Sequence, residues 1–76
     1  MYVYRITYTK ATYKTISGEL QFEEHKERFF TSEKKAQQLI DDLILINEHT
    51  RKDSEKEYKY SSFSENISDI KKIEVE

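Results

Sequence analysis

Tyr2, Tyr4, Ile6 and Tyr8 alternate with Val3, Arg5, Thr7 and Thr9 at the start of the chain. A period of two, built from β-branched and aromatic residues, predicts a β-strand with one apolar face. Leu20, Phe22 and Phe30 share one parity further on, with the polar run Glu23 to Arg28 between them. Ser17-Gly18 holds the single glycine of the chain and divides the two runs, which therefore read as a β-hairpin.

The pattern then changes period. After Thr31 and Ser32, either of which suits a helix N-cap, Ala36, Leu39, Ile40, Leu43, Ile44 and Asn47 follow the i, i+3, i+4, i+7 spacing of an amphipathic helix. Glu33 favours the first turn, and Leu45 and Ile46 widen the apolar stripe. Thr50 to Glu57 is charged and aperiodic and reads as a solvated connection.

Two shorter strands close the chain. Tyr58 and Tyr60 share a face opposite Phe63, Ser64-Glu65-Asn66 reads as a turn, and Ile73 and Val75 resume the alternation. Ile67 and Ile70 break that parity and require a bulge or a late strand start. The order β-β-α-β-β specifies an α+β fold, a small antiparallel sheet with one helix packed on one face, in a single domain over residues 1–76. The C-terminal strand is placed beside Tyr2 to Tyr8.

Lengths give this fold an overhang. Hairpin arms of about a dozen residues span about 40 Å, whereas the helix read from the pattern covers roughly 24 Å. The segment from about Lys10 to Glu27 should then project beyond the helix, with Thr7 to Thr15 as an exposed edge strand offering backbone groups to another chain.

Composition narrows the function classes. The chain has 76 residues, no cysteine and two histidines far apart in sequence, so neither a disulfide nor a cysteine-based zinc site is available to support so small a core. No apolar run approaches a membrane span, and MYVYRITY lacks the order of a signal peptide, which points to a cytoplasmic protein that begins at Met1. Charge is mixed: five Lys/Arg against four Glu in residues 1–30, two against four acidic residues in 31–48, six against seven in 49–76. A ligand attracted by long-range field alone does not fit that balance.

Catalytic chemistry finds little to work with. His25 lies among charged residues and His49 near the predicted helix C-terminus, and neither has a nucleophile or orienting partner in sequence. Asp41-Asp42 on a helix and Glu23-Glu24 on a strand point apart, so neither pair forms a metal clasp. Asp53, Glu55 and Glu57 lack the glycine and ligand spacing of a calcium loop. The expectation is no enzyme, no metal and no cofactor.

Tyrosines on a sheet, interleaved with Arg5, Lys10 and Lys14, outline a single-stranded nucleic-acid surface. The same parity of Tyr2, Tyr4 and Tyr8 with Ile6 makes them the face that receives the helix, leaving Tyr13 beyond it. Partner contacts are thus assigned to Lys10, Tyr13, Lys14, Glu19, Glu23 and His25, at the projecting end of the hairpin.

In style the segments FFTSEKKAQQLI and IKKIEVE resemble small proteins encoded by phages and other mobile elements of low-GC Gram-positive bacteria, anti-CRISPR inhibitors among them. That resemblance implies a sheet-plus-helix domain that binds and disables a host protein such as a defence nuclease. The other expectations are a single-stranded nucleic-acid binder, and a self-assembling module that pairs with a second copy through an edge strand.

Overall fold

The computed structural model describes residues 1–53 and 59–76 and shows the expected α+β class: four antiparallel strands and one helix. Strand β1 runs over Tyr2–Lys14, β2 over Leu20–Phe30, helix α1 over Glu33–Asp53, β3 over Tyr60–Glu65 and β4 over Lys71–Glu74. Tyr58 lies outside the described residues, as do Ser54 to Glu57. Ile67 and Ile70 are accounted for by a late start: both are half-buried before β4 begins.

Strand β1 is the centre of the sheet, with β2 along one side. Its other side is shared end to end, β4 pairing with Tyr2 to Arg5 and β3 with Thr9 to Lys14. Between them, the Thr7 amide donates to Ser68 Oγ at 2.9 Å and the Thr7 carbonyl accepts from the Ser68 amide at 2.9 Å, so one serine bridges the gap between the two strands. The expectation of an exposed edge at Thr7 to Thr15 is therefore corrected: this segment is paired on both sides, because β3 folds back along the half of β1 that β4 leaves open. The long open edge belongs to β2, which nothing flanks on its outer side among the described residues.

The hairpin turn is closed by Lys14 and Glu19, with the Lys14 amide donating to the Glu19 carbonyl and the Gly18 amide to the Lys14 carbonyl. Gly18 takes φ 72°, a left-handed conformation that glycine adopts without Cβ strain. The pairing of β1 with β2 slips between Thr12 and Tyr13, which face Phe22 and Leu20, leaving Gln21 as the extra residue of a bulge.

The Ser32 carbonyl accepts the first helical bond, from the Ala36 amide, which makes Ser32 the N-cap. At 21 residues, α1 is about 31 Å long rather than roughly 24 Å. It continues through Thr50 to Asp53, where the sequence suggested a loop, because its C-terminal half has β3 to pack on. It packs chiefly on β3, with lesser approaches to β1 and β2.

Among the described residues, Ile6, Ala11, Ala36 and Leu43 are the buried apolar ones. Ile6 lies on the face of Tyr4 and Tyr8, both half-buried, in agreement with the expected helix-receiving face. Tyr2 does not belong to it: its ring is exposed and carries the Lys72 ammonium 4.1 Å from its centroid. On α1 Ala36 and Leu43 are buried and Leu39, Ile40 and Asn47 half-buried, while Ile44, Leu45 and Ile46 are exposed, a correction to the wider stripe. No described helix is long and apolar enough to cross a membrane.

Candidate interaction surface

The turn end of the hairpin, with β3 beside it, carries large exposed apolar side chains next to buried small ones. Its faces are sorted by strand alternation, which β1 and β3 keep in register from Thr9 opposite Glu65 to Lys14 opposite Tyr60.

One face carries Thr12 opposite Phe22 on β2 and Ser62 on β3. Thr12 is buried at the floor, its Oγ1 2.8 Å from Ser62 Oγ. Phe22 and Tyr60 are exposed, and with Gln21 they rim a shallow concavity of about 470 Å3. Beyond the rim, Ile16 at the turn is 100% exposed. A polar floor whose hydroxyls bond each other, walled by aromatic rings, offers apolar contact and shape rather than chemistry.

The opposite face is tied by side-chain hydrogen bonds. The Tyr13 hydroxyl donates to the Glu65 carboxylate at 2.7 Å, and its ring lies 6.3 Å from that of Phe63 at 57°. Thr9 Oγ1 and His25 Nδ1 are 3.1 Å apart, and Thr15 Oγ1 lies 3.1 Å from Ser61 Oγ. A second open groove, of about 390 Å3, runs between His25, Glu27 and Asn66 over Thr7 and Thr9.

The hydrogen bond to Glu65 pushes the Tyr13 hydroxyl above its ordinary pKa, assisted by desolvation and by the nearby negative charges of Glu65 and Glu23. Since the folded-state pKa is raised, the stability this bond contributes is present below the ordinary tyrosine range and is lost as pH rises through the raised value. Glu65→Gln should lower the Tyr13 midpoint toward the ordinary tyrosine value in an ultraviolet or NMR titration. An unchanged midpoint would show that the bond does not control it.

The six sequence-assigned contact residues do not form one patch. Lys10 and Lys14 share the face of Thr12, while Tyr13, Glu23 and His25 lie on the other, and Glu19 sits at the turn. Several are engaged within the chain: Lys14 Nζ lies 3.9 Å from Glu19, Tyr13 is bonded to Glu65, and His25 meets Thr9. Arg5 pairs with Glu27 at 3.2 Å and Lys26 with Glu24 at 2.9 Å. The Lys26 ammonium, hydrogen-bonded to Glu24, holds the Glu24 carboxyl below its usual range.

Phe22, Tyr60 and Ile16 were absent from that assignment. Their signal was present, since Phe22 and Tyr60 are large and apolar, but it was absorbed into the alternation that marks a buried face. His49 and the carboxylates of Asp41 and Asp42 are exposed on α1, where Gln37 Nε2 donates to Asp41. Among the described residues no three His, Cys, Asp or Glu side chains converge as metal ligands would. Comparison with family models, with curated proteins and with solved structures finds no match.

Proposed function

We propose that this chain is a non-enzymatic protein-binding module that docks through the open end of its sheet. The observation that carries this reading is the exposure of Ile16, Phe22 and Tyr60 near the turn end of the sheet. Such side chains, around a floor whose polar groups already satisfy one another, match the aromatic centre of a protein interface. On the strength of the resemblance to small phage and mobile-element proteins, the partner is a host protein, with a defence nuclease as the first class to try.

The nucleic-acid alternative draws less support. Arg5, Lys14 and Lys26 each lie beside a carboxylate, and Lys10 stands opposite Glu24, so phosphates would have to displace internal partners.

Tyr60 and Ile16 allow the docking reading to be tested without altering β2. Against a panel of purified bacterial defence nucleases, the wild-type chain should inhibit one by direct binding. Tyr60→Ala combined with Ile16→Ser should weaken that binding by about tenfold or more while leaving the circular dichroism spectrum unchanged. Equal binding by both chains would remove the open end as the docking surface, and salt-sensitive binding to labelled oligonucleotides alone would favour the alternative.

A further inference from the structure

The open edge of β2 is self-complementary in one register. Its phase follows from the backbone: Thr7 turns its amide and carbonyl toward Ser68, on the β3 and β4 side, so the even-numbered residues of β1 turn theirs toward β2. Opposite them stand Glu24, Lys26 and Arg28, whose backbone groups are thereby used. Glu23, His25, Glu27 and Phe29 direct their amides and carbonyls outward, and β2 is exposed along nearly its whole length.

We infer that a second copy of this chain pairs antiparallel with β2, about a two-fold axis at Lys26. In that register His25 faces Glu27 of the second copy, and Glu23 faces Phe29, so outward groups meet outward groups and exchange about eight backbone hydrogen bonds. On one face Glu24 comes opposite Arg28 of the second copy, twice by symmetry, and Phe22 opposite Phe30. On the other, each His25 lies beside a Glu27 carboxylate.

Two like charges meet, at Lys26 on the axis, and the fold already draws them apart. Each Lys26 ammonium is held by its own Glu24, two residues along the strand, in opposite directions from the axis. Charged edge residues commonly keep a strand from pairing. Here they select the register instead: moving the axis to His25 sets Glu23 against Glu27, and moving it to Glu27 sets Lys26 against Arg28. The product is a continuous sheet six strands wide, with the two open ends at opposite extremities. This inference stands on the β2 edge and shares only Phe22 with the proposed docking surface.

Charge exchange tests it on the full-length chain. Light scattering and sedimentation across a concentration series should show a dimer for the wild type. Glu24→Arg or Arg28→Glu, each placing like charges opposite one another twice, should weaken it by about 30-fold. Mixing the two single variants should restore a heterodimer, since each supplies the charge the other lacks. Lys26→Cys should form an intermolecular disulfide under mild oxidation, because directly opposed residues of a non-hydrogen-bonded pair sit within disulfide reach, while Gln21→Cys should not. Circular dichroism establishes that every variant is folded. A wild type that stays monomeric to millimolar concentration overturns the inference, as does a dimer that ignores the charge exchange or cross-links equally at Gln21.

Discussion

Ile6→Ala is expected to lower the melting temperature by roughly 12–24 °C, the largest effect of any single truncation in this chain. Ile6 is 0% exposed and, among the described residues, is the one large side chain removed entirely from water. The other fully buried residues, Ala11 and Ala36, have little to lose. Deleting a buried isoleucine to alanine costs about 2–5 kcal/mol, more where the surroundings cannot close over the gap. Closure is hindered here because β1 is hydrogen-bonded to strands on both sides and cannot shift toward the helix alone. Domains of this size are typically stable by about 4–11 kcal/mol, so the loss removes a large share of the total. Thermal and urea unfolding followed by circular dichroism would measure it, with Ile6→Val as the milder companion at about 0.5–1.5 kcal/mol. Ile44→Ala serves as the contrast and should stay within about 0.5 kcal/mol of wild type, because Ile44 is exposed. A melting temperature for Ile6→Ala within 3 °C of wild type, by about that margin of experimental interest, would mean that the core is not organised around this residue.

The contrast between Ile6 and Ile44 marks how far the sequence could be read. Strand alternation is a strict period of two, so one parity of β1 had to be apolar, and the placement of Ile6 with Tyr4 and Tyr8 followed. The helix is different. Leu39, Ile40 and Leu43 through Ile46 cover more than half of its circumference, and periodicity alone does not say which part turns inward. In the fold, α1 leans toward β3, so Leu43 and Asn47 point in and Ile44 to Ile46 point out. The topology of the first strand was hidden for a related reason. Nothing local in Thr7 to Thr15 shows that a strand more than 45 residues later will pair with it, as Ser61 does with Tyr13. The sequence pointed to the turn end of the hairpin as the candidate surface; which face each residue takes required the register.

Asn47→Ala is expected to cost about 2 kcal/mol and roughly 8–16 °C in melting temperature, although it removes a polar residue from a helix. Asn47 Nδ2 donates to the Ser64 carbonyl and its Oδ1 accepts from the Ser64 amide, both at 2.8 Å. One side chain thus supplies the pair of hydrogen bonds that a neighbouring strand would, and closes β3 at Ser64 while fixing the rotation of α1. Alanine leaves both backbone groups of Ser64 without those partners at a half-buried position. Asn47→Asp isolates the donor: the carboxylate still accepts from the Ser64 amide but sets a second negative oxygen against the Ser64 carbonyl. Protonation lets that oxygen donate, so the folded state raises the carboxyl pKa. The stability gained is then complete below the ordinary carboxyl range and lost as pH rises through the raised value. Asn47→Asp should therefore recover stability relative to Asn47→Ala on acidification, read from melts of the two variants across pH 3–7, a range of about four units around carboxyl titration. Parallel pH dependence in both would show that the bond to the carbonyl is not needed. With Ser64 uncovered, β3 offers a further edge open to pairing, and Asn47→Ala should associate more readily than the wild type at equal concentration, read by light scattering.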